Sequence, residues 1–273
     1  MFKTIIGLDL ASTFKKSKVG LAVLEKKPKG FSLSSTKLVK STNEILAAIE
    51  EVRPPVLLAI DAPLKLPINS DFSYADIEIA EMKWPMTYTY RPWENLIFLK
   101  LKNEFEVSGR PFSSLTLTYR GIILKRLLEE KGWVLISSPN HIADYAFTEV
   151  FPNLTMNVLE KVKLNEAGDK KEKRREFVTR LFAEGYHDVI LKNETGAPLS
   201  SFMKKEDILD AIICAWTGAL FAESQFKKNT ALCLGDDEFG FVICPFSRQL
   251  EKHLISDGPE NLIHNHTIFG NLD

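Results

Sequence analysis

Two short apolar runs each end on a lone aspartate, Thr4-Ile5-Ile6-Gly7-Leu8-Asp9 and Val56-Leu57-Leu58-Ala59-Ile60-Asp61. A third acidic pair, Asp207 and Asp210, opens an apolar helical pattern. An ionised carboxylate at the end of an apolar strand needs a partner, because desolvating it alone is strongly unfavourable. A divalent cation bound by oxygen ligands serves all three positions at once. Asp207 and Asp210 stand three apart, so on a helix they share one face near its positive N-terminal end. If that face looks onto the sheet end carrying Asp9 and Asp61, the four carboxylates hold two magnesium or manganese ions. Two ions about 3.5 to 4 Å apart activate a water and steady the leaving oxygen during in-line attack on a phosphodiester.

The elements that must position these acids follow from periodicity and punctuation. Residues 3–10 and 17–25 read as an antiparallel strand pair, and 31–39 as a third, weaker strand. Ser41-Thr42-Asn43-Glu44 then starts a helix of cap-then-acid type, with Ile45, Leu46 and Ile49 on its apolar side. Pro54-Pro55 ends it, and the strand closing on Asp61 follows. This order mixes hairpin and crossover connections, which predicts an α/β domain on a mixed sheet rather than a doubly wound parallel one. Residues 65–118 break the rhythm with proline, serine and the aromatics Phe72, Tyr74, Trp84, Tyr88, Tyr90 and Trp93. They read as an insertion over the sheet with helical stretches at 74–83 and 93–103. Regular patterning resumes with a helix over 119–131 closed by Gly132, strands at 133–137 and 146–151, and a basic helix over 170–184. A broad apolar helix spans 206–222, and late strands occupy 230–234 and 239–244. Residues 1–245 therefore read as one domain and 246–273 as a loosely structured tail.

The chain has 273 residues, 45% of them hydrophobic, and a formal net charge of -1, so no global positive field draws nucleic acid or an anionic membrane. Any polyanion must meet a local patch. Cys214, Cys233 and Cys244 lie in apolar stretches without C-x-x-C spacing, which argues against a zinc knot and a secreted disulfide framework. A cytoplasmic location is the expectation. No apolar run approaches membrane-spanning length, so neither export nor membrane insertion is expected.

A run of cations, Lys161, Lys163, Lys170, Lys171, Lys173, Arg174, Arg175 and Arg180, offers phosphate contacts, with Lys170, Lys171 and Arg174 the candidate substrate-binding residues. The competing reading is the solvated face of an amphipathic helix. The insertion's aromatics could stack bases, against the alternative of packing a cap on the core. His264 and His266 alternate as metal ligands can, but no cysteine or patterned carboxylate lies near them. Gly235-Asp236-Asp237-Glu238 reads as a turn. No Ser-His-Asp or Cys-His ordering stands out.

Gly7-Leu8-Asp9-Leu10-Ala11, Ala59-Ile60-Asp61-Ala62-Pro63-Leu64, Arg91-Pro92-Trp93-Glu94, Glu149-Val150-Phe151-Pro152, Asp207-x-x-Asp210-Ala211 and the segment from Glu238-Phe239-Gly240 to Pro245 occur in that order. Together they resemble the domain-of-unknown-function 429 family of predicted nucleases. That family looks like a branch of the ribonuclease H-like fold, and its Asp-x-x-Asp-Ala helix is similar to that of Holliday-junction resolvases. The resemblance implies a five-stranded mixed sheet flanked by helices, with an insertion after the fourth strand. It places Asp9 on the first strand, Asp61 on the fourth and the last acids on the final helix. It implies a metal-dependent nuclease, to which Asp9, Asp61 and Asp210 carry over. Asp207 carries over from the resolvase-like helix, Glu149 as an auxiliary and Arg91 as a substrate contact. The family's Lys-x-x-Gly-x-x-x-Arg-like segment departs here, where residues 163–175 are longer and richer in lysine.

The leading expectation is thus a nuclease hydrolysing a nucleic acid or nucleotide phosphodiester by a two-metal-ion mechanism. Asp9, Asp61, Asp207 and Asp210 would bind Mg2+ or Mn2+, and Glu149 would assist. One alternative is an ATP-dependent phosphotransferase of the actin and sugar-kinase type, since residues 7–13 followed by Val19-Gly20 resemble the first phosphate-binding hairpin of that group. Another is a non-catalytic binding module.

Overall fold

Aliphatic residues on both sides of the chain make β1 (Thr4–Asp9) a strand buried on two faces, with Ile5, Ile6 and Leu8 wholly inside. It is the centre of the fold. The computed structural model describes residues 1–10, 18–65, 115–141, 143–160, 170–227, 229–237, 240–256 and 266–268. β2 (Val19–Lys27) pairs antiparallel with β1, and β3 (Gly30–Val39) antiparallel with β2. The helix α1 (Thr42–Glu50) crosses over, its N-terminus capped by the Ser41 hydroxyl accepting from the Glu44 N–H at 3.2 Å. β4 (Val56–Asp61) then returns parallel to β1, which sets Asp61 directly beside Asp9.

After α2 (Leu115–Glu130) come β5 (Val134–Leu135), β6 (Tyr145–Glu149), α3 (Pro152–Glu160), α4 (Lys170–Ala183), β7 (Leu191–Asn193) and the short α5 (Leu199–Phe202). The acidic pair lies on α6 (Glu206–Glu223). β8 (Ala231–Asp236), β9 (Gly240–Pro245), α7 (Arg248–Ser256) and β10 (His266–Ile268) complete the described elements. The main sheet runs β5-β6-β4-β1-β2-β3-β7, and a second, antiparallel sheet runs β10-β8-β9.

The expected mixed α/β architecture holds, but the sheet has seven strands rather than five. Its five central strands run β6-β4-β1-β2-β3. Val134–Leu135 and Leu191–Asn193 add an edge strand at each side. The first falls inside the strand read over 133–137, whereas Leu191–Asn193 was not expected, since a strand of three residues is set by its neighbour and carries no legible alternation. The helix expected at 119–131 starts at Leu115, so the insertion ends four residues earlier than its composition suggests. The strand read over 146–151 stops at Glu149, and α3 begins at once on Pro152, a residue suited to a first helical turn. Residues 246–273 are not wholly loose: α7 buries Leu250, and β10 pairs with β8. The acidic helix is therefore not the last one. The segments 11–17, 74–83 and 93–103, the insertion's aromatics, Arg91, Glu94 and His264 lie outside the described residues.

Each face of the main sheet carries its own core. Ile6, Leu8, Leu21, Leu58, Ile60 and Phe147 pack with Ile45 and Ile49 of α1 and Leu124 and Leu128 of α2. On the other face Ile5, Ala22, Leu24, Leu57 and Ala59 meet Ile212, Ala215 and Trp216 of α6, with Phe177 and Leu181 of α4 beyond. α6 is buried continuously from Ile208 to Glu223, because the sheet covers one side and α3, α4 and the second sheet cover others. Its seat on the sheet requires glycine. A Cβ at Gly7 would fall 2.0 Å from the Ala211 carbonyl oxygen, and one at Gly20 would fall 1.8 Å from that of Asp207. Among the described residues no helix is long and apolar enough to cross a membrane.

Gly20→Ala forces the first turn of α6 away from β2. The expected cost is about 3 kcal/mol or more, read as a lower urea-unfolding midpoint. An unchanged midpoint would mean that α6 does not lie at backbone contact.

Candidate active site

Parallel pairing sets Asp9 and Asp61 side by side at the carboxyl ends of β1 and β4. Both fall on the face of the sheet that carries Gly7 and Ala59, the face against α6, because side chains two apart along a strand point the same way. Asp9 is also the register partner of Gly20, on which the Asp207 carbonyl rests. The first turn of α6 therefore lies over this sheet end. Asp210 is buried on that turn, and Asp207 is half-buried at its rim.

The electrostatics register the convergence. Burial raises the Asp9 carboxyl well above the usual carboxylate range, and the charges of Asp210, Asp61 and Asp207 raise it further, against a lowering by Arg174. Burial likewise raises Asp61, with Asp210 and Glu149 adding repulsion and Arg174 opposing. Asp210 is raised by burial and held back by Arg174. Asp207 is raised by burial and by Glu206, with Lys18 opposing. Acids from three distant segments thus share one local field.

Arg174, from the basic helix α4, is the counter-charge. Its Nε donates to Asp210 Oδ1, its Nη2 donates to Asn153 Oδ1 at 3.1 Å, and its Nη1 lies 3.2 Å from Glu206 Oε1. Burial works against the guanidinium's charge, and the attraction of Asp210, Glu206 and Asp9 outweighs it. Two other cations of α4 pair elsewhere. Arg175 donates to the Met203 carbonyl and pairs with Glu172, and Arg180 pairs with Glu160. Lys171 is half-buried on α4, and the side chain of Lys170 lies outside the described residues.

Glu149 has a different place. Its register partner is Ile60, whose side chain belongs to the α1 and α2 face, so Glu149 approaches Asp61 from the opposite side of the sheet. Its Oε2 accepts the Leu64 N–H at 2.9 Å, which ties down the chain just after β4. Two relevant groups were not legible in the sequence. Arg120 on α2 is half-buried, with burial lowering its pKa and the charge of Asp9 raising it. Asn153 fixes Arg174. Neither sits in a spacing that sets it apart from ordinary helix residues. Cys214 lies beneath the acids, and burial together with Asp61, Asp9 and Asp210 pushes its thiol up, so it packs as a neutral group.

The donors suit a small hard cation: they are all oxygens, and carboxylates outnumber cations locally. Among the described residues, no three histidine, cysteine or acidic side chains converge closely enough to enclose an ion. That is compatible with magnesium, which commonly takes one or two carboxylates and completes its octahedron with water and substrate oxygens. Asp9 and Asp61 supply such a pair.

No curated protein and no solved structure matches the chain. The family described as Protein of unknown function (DUF429) matches residues 7–237, from the glycine of β1 to the turn after β8. The chain with its acids gathered at the β1 and β4 ends under α6 is a member of that family.

Proposed function

We propose that the protein is a divalent-metal-dependent nuclease of ribonuclease H-like type that hydrolyses phosphodiester bonds in a nucleic acid or nucleotide. The observation that carries the reading is the side-by-side pair Asp9 and Asp61, with Asp210 above it on the α6 side. Asp9 and Asp61 would hold Mg2+ or Mn2+, with Asp207 available from the rim. A cation bound there lowers the pKa of water and offsets charge on the reacting phosphate. Arg174 holds Asp210 in place and brings positive charge to the site from the α4 side. Arg120, near Asp9, is a second cation suited to a substrate phosphate. Glu149 acts as a positioning residue by anchoring the segment after Asp61.

Two experiments bear on this. A cleavage screen with manganese over single-stranded, duplex and branched DNA and RNA should yield products that disappear with chelator. Asp9→Asn should lower the rate by more than about 100-fold, since loss of a ligand should exceed the effect of losing its supporting partners. Activity that survives this substitution would remove Asp9 from the machinery.

The second concerns pH. In the metal-free protein the raised carboxyls of Asp9 and Asp61 bind protons more tightly folded than unfolded, so their contribution is fully favourable below about pH 4 and is lost as pH rises through the folded values. Asp61→Asn, in chelator, is therefore expected to melt higher than the parent at pH 7.5 and not at pH 4. Manganese should raise the parent's midpoint at pH 7.5 and leave the variant's unchanged. Equal midpoints for variant and parent at pH 7.5 would show that Asp61 carries no uncompensated charge.

A further inference from the structure

Arg174 is only 7% exposed and is held from two helices, by Asn153 of α3 and by Asp210 and Glu206 of α6. Moving it would break all of these contacts in a buried setting, so it is a fixed cation rather than a side chain that swings onto substrate. Its Nη1 is buried and makes no aligned hydrogen bond among the described residues, although Glu206 Oε1 is an ion-pair neighbour at 3.2 Å. The guanidinium is thus fixed between Asp210 and Glu206 on the α6 side of the acidic site.

The charges decide what can join it. Asp9, Asp61 and Asp210 interact with one another and with Arg174. Asp210 is already paired with Arg174, which leaves Asp9 and Asp61 as the carboxylates whose two charges a single divalent cation would answer. A second dication would have to take Asp210 from Arg174 and then sit against a buried guanidinium, where repulsion is poorly screened. Asp207 does not offer an easy substitute, since its carboxyl shares the rim with Glu206 and Lys18.

We propose that Arg174 stands in for the second metal ion. The site then holds a single divalent cation at Asp9 and Asp61, and the fixed guanidinium on Asp210 supplies the positive charge that a second ion would bring. This rests on the nuclease reading above and replaces its paired-ion form. A guanidinium suits the task because it stays charged at all working pH values.

The test is titration of the full, metal-free chain with Mn2+, followed by calorimetry and electron paramagnetic resonance. The expected result is one ion per chain with the spectrum of an isolated Mn2+. Arg174→Met should raise the stoichiometry from one to two and produce a spin-coupled pair. Arg174→Lys, which keeps the charge, should remain at one. Two coupled ions in the parent protein would overturn the proposal, as would a single ion in a folded Arg174→Met. If that variant does not fold, by circular dichroism, the parent's own stoichiometry and spectrum decide. No Mn2+ bound by the parent would overturn the metal-dependent reading itself, a result distinct from two ions.

Discussion

The contact of α6 with β1 and β2 at backbone distance is the constraint on which the rest depends. Gly7 and Gly20 remove the two Cβ atoms that would hold the helix off the sheet. The helix can then lay its first turn over the strand end where Asp9 and Asp61 lie in register. The same close approach explains why a helix opening on two aspartates becomes almost wholly apolar from Ile208 onward: sheet, helices and second sheet surround it. Its charged first turn is the part that meets the open end of the sheet.

Bringing acids together in this way opposes stability. Each carboxyl is desolvated and repelled by the others, and Arg174 relieves only part of the excess. A fold selected for stability alone would replace such groups with apolar ones of similar volume, a change that is often neutral or favourable. Clustered, desolvated acids beside one buried arginine are the kind of arrangement that functional sites carry at a cost in stability. The surroundings are otherwise conventional, with a satisfied helix cap at Ser41, surface ion pairs on α2 and α4, and three buried cysteines that serve as small apolar groups.

Much of this is legible in the sequence. The three leading strands, the crossover helix and the fourth strand have lengths at which apolar alternation and turn residues dominate, so their type and order could be read directly. The acids were legible for a related reason: a carboxylate closing an apolar run conflicts with its surroundings, and such conflicts mark sites. The edge strand Leu191–Asn193, α3 and the elements within residues 246–273 were not legible. They are too short, or too polar, to be specified without the neighbours they pair with.

The sequence by itself determined which residues carry charge where charge is unwelcome, and on which elements they lie. It also contained the family resemblance, and the family match covers residues 7–237, short of the segment from Glu238 to Pro245. Tertiary structure alone decided the roles within the set. Asp9 and Asp61 became neighbours through a parallel register that no local pattern encodes. Glu149 went to the other face because strand parity is fixed by pairing. Arg174 was separated from Arg175 and Arg180 by the orientation of α4 against α6, which turned one cation of a seemingly uniform basic run inward and left its neighbours to surface pairing. Residue type is a local property, whereas the partner a charge finds depends on how distant segments pack.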